Sequence, residues 1–245
     1  MGLFDKLFGK KNCDICGGEI GLLGNRKLED GNLCKDCAKK LSPFFSERRS
    51  STVEEIRAQL AYREENKAKV AAFVPTKVVE GDTYTLYFDE EKAQWLASRS
   101  TNWRNDNPDV IDFAQVSGVE VEVDENKEEI TYENKEGQEV SYNPPRYKYL
   151  YDFNLVVHVN SPYFNRLSFR MNKEEIEGRT TVAYTRENKR AEETKAIFTA
   201  VKEEQKAEKQ KAEAPKTPVV CPACGATTLP DANGCCEYCG SPVKA

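Results

Sequence analysis

The sequence predicts an α+β multidomain protein. Its parts in order are an N-terminal four-cysteine module, a helix, a seven-stranded antiparallel β domain closed by a C-terminal helix, and a tethered four-cysteine ribbon. Three observations predict this. Eight of the nine cysteines form four C-x-x-C pairs, gathered at the two ends of the 245-residue chain. Between residues 76 and 170 short runs are rich in β-branched and aromatic residues, the composition of strands. A stretch of alternating charge, Lys202 to Glu213, then separates this region from the last cysteines. With 39% hydrophobic and 31% charged residues, the chain can build one medium core with small satellites but not two large ones.

Residues 1–11 place Leu3, Phe4, Leu7 and Phe8 on one helical face, with Lys6, Lys10 and Lys11 elsewhere. So short a helix needs a surface to lie on, either an anionic membrane or a groove. Gly2 does not begin a myristoylation motif, because position 6 is Lys6. Residues 12–50 hold Cys13, Cys16, Cys34 and Cys37, with 17 residues between the inner two. That spacing suits a four-cysteine zinc site, in which each short C-x-x-C turn aims two sulfurs at one ion. Gly17 follows Cys16, Gly225 follows Cys224 and Gly240 follows Cys239, where a missing Cβ lets backbone amides approach the thiolates.

Residues 51–74 read as a helix, opened by one of two overlapping capping boxes, Ser51 to Glu54 or Thr52 to Glu55. It carries Val53, Ile56 and Leu60 at helical spacing, runs to about Ala72 and is stopped by Pro75. Residues 76–205 form the β domain. Its strand candidates are 83–88, 110–113, 119–123, 130–132, 140–142, 149–159 and 167–169, with a turn at Glu136-Gly137. Ala191, Thr194, Ile197, Phe198 and Val201 then mark the closing helix. Residues 206–218 are a charged tether ending in the stiff Ala214-Pro-Lys-Thr-Pro218. Residues 219–245 are the second module, where Cys221, Cys224, Cys236 and Cys239 pair as two matching C-x-x-C turns and leave Cys235 over.

No secretory leader pattern opens the chain, so the expected compartment is cytoplasmic and reducing, with peripheral membrane association through residues 1–11 as a further expectation. Paired C-x-x-C motifs there read as metal sites rather than disulfides. The expectation is two structural zinc ions per chain, each closed by four thiolates and leaving no open position for catalysis.

These residues carry a resemblance. Cys13-Asp-Ile-Cys16, Gly21-Leu-Leu-Gly24, Gly31-Asn-Leu-Cys34-Lys-Asp-Cys37, Leu41-Ser-Pro43 and the helix that follows resemble the bacterial family called domain of unknown function 4428, over roughly residues 11–65. The resemblance implies that Cys13, Cys16, Cys34 and Cys37 are ligands, and it implies no activity. Seven strands closed by a helix, with the phrase Val110-Ile-Asp-Phe-Ala-Gln-Val-Ser-Gly-Val-Glu120-Val-Glu122, resemble the pleckstrin-homology-like domains. The tail resembles the CPxCG-type zinc ribbons.

Function is narrowed by what is missing. The one histidine, His158, sits within an alternating strand, and no nucleophile elbow or phosphate loop occurs, so the chain is expected not to be an enzyme. Residues 1–50 carry ten basic against seven acidic residues, among them Arg26, Lys27, Lys39, Lys40, Arg48 and Arg49. Residues 76–185 carry 12 basic against 21 acidic, which disfavours nucleic acid outside the first module. The reading reached is a zinc-binding adaptor or scaffold for a protein partner, at the inner membrane surface if residues 1–11 dock there. A nucleic-acid-binding regulator acting through the basic first module is the alternative. Trp95, Trp103, Tyr147, Tyr149 and Tyr151 are candidate contacts, with core packing the competing role.

Overall fold

A computed structural model describes residues 11–213, 218–231 and 234–243. The amphipathic segment expected over residues 1–11 lies, apart from Lys11, outside the described residues, as do 214–217 of the linker. The chain divides into two compact units, Met1–Lys202 and Glu203–Ala245. The fold is α+β, with antiparallel sheets throughout and two four-cysteine groups.

The first module pairs β1 (Lys11–Asn12) with β2 (Glu19–Ile20), and β3 (Arg26–Lys27) with β4 (Asn32–Leu33). The short helix α1 (Lys35–Ala38) follows. Leu28, Leu33, Leu41 and Ile56 bury together with Cys13 and Cys37, so a small apolar core adjoins the sulfurs. Helix α2 (Val53–Ala72) starts at the second of the two capping boxes: Thr52 accepts from the Glu55 N–H while Glu55 returns to the Thr52 N–H.

The buried stripe of α2 is Ile56, Gln59, Arg63, Asn66 and Val70, and three of these five are polar. Arg63 Nη1 lies 2.8 Å from Asp109 Oδ1, with both side chains buried. Ser42 Oγ donates to the other Asp109 oxygen at 2.7 Å. Asn66 donates to the Pro108 carbonyl at 2.7 Å and accepts from the Val110 N–H at 3.0 Å. This polar cluster fastens the first module and α2 to the β domain.

The β domain opens with a four-stranded sheet, β5 (Lys77–Glu80), β6 (Thr85–Asp89), β7 (Gln94–Ser98) and β8 (Ile111–Asp112), in that spatial order. Helix α3 (Trp103–Asp106) lies between β7 and β8 in the chain. In the second sheet β9 (Val116–Glu133) runs along β10 (Glu139–Val159), whose opposite edge takes β11 (Arg166–Arg170) and β12 (Ile176–Glu177). Helix α4 (Val182–Glu213) closes the domain. Both sheets and α4 feed one core, in which Phe198 meets Trp95 at 5.0 Å, Phe88 at 5.3 Å and Phe113 at 5.5 Å between ring centroids.

Several strands differ from the expected ones. The candidates 119–123 and 130–132 are one strand, β9, and 140–142 and 149–159 are one strand, β10. Residues 127–133 and 139–149 form a two-stranded arm beyond the β12 pairing, at whose base the Gly178 N–H donates to the Tyr149 carbonyl at 2.9 Å. The turn at Glu136-Gly137 holds, with Gly137 at φ 74°. Strands β5 and β7 carry too little alternation to be read from sequence.

Gly81 marks a close approach between the two sheets. A Cβ there would sit 2.7 Å from the carbonyl oxygens of both Arg170 and Tyr84. Gly81→Ala is expected to lower stability by about 1–3 kcal/mol, the usual cost of overpacking. A urea midpoint equal to that of the parent chain would refute the close fit.

Candidate metal centres

Each set of four sulfurs converges. The Sγ atoms of Cys13, Cys16, Cys34 and Cys37 lie within 4.8 Å of one another, and so do those of Cys221, Cys224, Cys236 and Cys239. No disulfide joins any of the nine cysteines.

Three of the four C-x-x-C pairs fold as the same knuckle. Gly17 N–H donates to the Cys13 carbonyl at 2.7 Å, and Gly225 and Gly240 do so to Cys221 and Cys236 at 2.8 Å each. The first cysteine of each pair donates in turn to a carbonyl five residues on, Gly18, Ala226 or Ser241. The glycines stand at φ 74°, 73° and 70°, a left-handed backbone that a side chain would strain. The fourth pair is built otherwise. Cys34 caps α1, and its Sγ accepts from the Cys37 N–H at 3.4 Å, so a helix start takes the place of a glycine turn.

The spacing fits a metal. Four thiolates around an ion at about 2.3 Å set the sulfurs about 3.8 Å apart along each tetrahedral edge. The contacts are 3.8 Å for Cys16–Cys34, 3.6 Å for Cys221–Cys239 and 3.7 Å for Cys224–Cys236. Donors are arranged for anionic sulfur as well. Burial opposes ionisation of Cys13, but the backbone amides of Cys16, Cys34 and Ile15 bring its thiol down to about 6. The Ser241 hydroxyl and amide bring Cys239 down to about 6. Burial and the neighbouring sulfurs push Cys37 up. Cys224 is raised to about 12, its Ala226 amide outweighed by the sulfurs of Cys239 and Cys221. Four sulfurs without a cation therefore share protons unequally, and a bound cation would displace them. Each group could hold one metal ion.

The other sequence candidates separate. Trp95, Trp103 and Tyr151 are core, at 0%, 4% and 5% exposure, whereas Tyr147 and Tyr149 stand on the arm at 42% and 40%. His158 pairs with Glu120 at 2.8 Å on the sheet surface. Cys235 belongs to neither sulfur group; it bridges to Pro242, and its N–H donates to Asp231. Nothing local in the sequence marks the Arg63–Asp109 cluster.

Among the described residues no helix is long and apolar enough to cross a membrane. Comparison with curated proteins and with solved structures found no match. The second sulfur group fits a zinc ribbon. Residues 11–59, which span β1 to the first turns of α2 and include all four cysteines of the first centre, are similar to the family described as domain of unknown function (DUF4428).

Proposed function

We propose that this chain is a non-enzymatic adaptor, stapled at both ends by structural zinc, that binds protein partners through the β9–β10 arm. The observation that carries this reading is the exposed apolar surface of the arm, with Tyr147 and Tyr149 on one face and Ile130 and Tyr132 on the other. Ile130, Tyr132, Tyr147 and Tyr149 are 37–44% exposed on a ribbon that buries little of itself. Tyrosine is enriched at protein interfaces because a rigid ring gives a large contact area at low entropic cost. Both faces are ordered in advance: on one, Lys127 Nζ lies 3.8 Å from the Tyr147 ring centroid, and on the other Arg146 lies 4.4 Å over Tyr142, which meets Tyr132 at 4.9 Å.

Zinc suits the two centres because soft thiolates in a closed tetrahedron select it and leave no site for substrate. Two four-stranded antiparallel sheets closed by α4 support a pleckstrin-like reading of the β domain, and its acidity favours a protein ligand over an anionic lipid. Native mass spectrometry under reducing conditions is expected to find two zinc ions per chain; fewer would refute the metal assignment. Replacing Tyr147 and Tyr149 by serine is expected to reduce co-purification of the native partner about tenfold or more with thermal stability unchanged, as for two central interface tyrosines. Equal recovery of the partner would remove the arm as the binding surface.

A further inference from the structure

A concentration of positive charge lies on the first module, in a hollow lined by none of its cysteines. Strand β3 supplies Arg26 and Lys27, and the turn Arg48–Ser50 packs against β3 and supplies Arg48 and Arg49. These four cations, with Asn25, Leu28 and Glu29, line a concavity of about 690 Å³. The hollow is held by hydrogen bonds: Arg48 Nη1 donates to the Lys27 carbonyl at 2.7 Å, Glu29 N–H to the Ser51 carbonyl at 2.9 Å, and Ser50 N–H to the Glu47 carbonyl at 3.0 Å. Other cations on the surface find carboxylates, as Lys39 does at Asp36 and Arg166 at Glu122. Among the described residues none of these four enters an ion pair, although Glu29 lies beside them.

We propose that Arg26, Lys27, Arg48 and Arg49 form a binding site for the phosphate group of a compact polyanion. Burial together with the charges of Arg26 and Arg49 pushes the Arg48 guanidinium below its ordinary value, so these groups repel one another until an anion joins them. Three planar guanidinium groups and one ammonium match the several oxygens of a phosphate, which they engage through paired charge-assisted hydrogen bonds. The size of the hollow suits a phosphate with part of the molecule that carries it. A long nucleic-acid strand would need a continuing track of cations. On this module Arg57 is taken up by the Asp14 carbonyl and Lys39 by Asp36, and residues 76–185 are strongly acidic. The inference is independent of the adaptor reading.

The test uses the full zinc-loaded chain with inorganic pyrophosphate as the soluble probe, and vesicles of phosphatidylcholine with or without phosphatidylinositol 4-phosphate as the lipid probe. Saturable pyrophosphate binding is expected, weakened as salt rises. The double variant Arg26→Gln/Arg49→Gln, which keeps Arg48 and its carbonyl bond, is expected to bind about tenfold or more weakly, and so is Lys27→Gln at smaller amplitude. A control of equal charge loss, Lys77→Gln/Lys189→Gln, is expected to leave binding unchanged. Recruitment only to the phosphoinositide vesicles, lost in the double variant, would support the site and identify a headgroup as its source. Equal binding by all variants, or no binding to either probe, would overturn it. Tighter binding to a short DNA duplex, insensitive to the double variant, would overturn it as well.

Discussion

Asp109→Ala is expected to destabilise the protein by about 3–5 kcal/mol, the cost of breaking a buried ion pair from one side. The Asp109 side chain has no exposure and that of Arg63 only 7%, so the guanidinium left behind could not reach bulk water. Ser42 Oγ would lose its acceptor at the same time. Among the described residues Arg63 keeps only the Lys40 carbonyl, at 3.2 Å from Nε, which does not neutralise it. Arg63→Met is expected to be similarly costly, since it leaves a carboxylate that burial already pushes above its ordinary range. The double variant Arg63→Met/Asp109→Leu is expected to recover most of the loss, because removing both charges removes the desolvation penalty. Urea unfolding of the three variants makes the comparison. Single variants within about 0.5 kcal/mol of the parent, the range of ordinary surface changes, would show that the pair is not a clasp.

The position of this clasp explains why it was hidden from sequence reading. Ser42 follows the last ligand of the first centre, Arg63 lies in the middle of α2, and Asp109 follows α3, so the contacts span 46 and 67 residues. A periodicity search on α2 finds Val53, Ile56 and Leu60, but the stripe that packs is Ile56, Gln59, Arg63, Asn66 and Val70. Arg63 and Asn66 are buried because Asp109, Pro108 and Val110 supply their partners, and hydropathy does not register that. The knuckles were legible for the opposite reason. Each is closed by hydrogen bonds reaching at most five residues, and the glycine at positive φ stands in the sequence. The same local logic separates Cys37, followed by Ala38, as the pair seated on a helix.

The arm was misread because strand signals depend on burial. Val119, Val121 and Val123 alternate and pack on the core, whereas the charged run from Asp124 to Glu129 is mostly exposed and carries no apolar alternation. Pairing with 147–152 continues the strand regardless. Pro144 and Pro145, which interrupt the sequence pattern, fall within the irregularity between Ser141 and Arg146, where the ladder loses register without ending. The tyrosines show the same division. Tyr151 and Tyr149 are two residues apart on one strand, yet only Tyr151 lies beneath α4, where its ring meets Tyr184 at 5.1 Å.

Removing metal is expected to affect the two centres unequally. The core of the second is Cys221, Cys236 and Val243, with Val219 packed beside them. Two of its three fully buried members are therefore ligands, and β13 (Val219–Val220) and β14 (Thr227–Thr228) are a ladder of only two residue pairs. Structural zinc contributes about 10–16 kcal/mol in small modules of this kind, far more than such a core supplies. Cys236→Ser is expected to abolish amide protection across 218–231 and 234–243 completely. Cys13→Ser should act differently, since Leu28, Leu33, Leu41 and Ile56 remain as an apolar core and the Arg63–Asp109 clasp still holds the module. Protection is expected to fall around β1 to β4 while the amides of α2 from Arg63 onward and of the β domain keep theirs. Hydrogen exchange read by mass spectrometry on both variants distinguishes the cases. Persistent protection in the ribbon of Cys236→Ser would mean that its fold does not depend on metal. Loss of protection throughout residues 11–202 in Cys13→Ser would mean that the first centre, not the clasp, sets the stability of the whole unit.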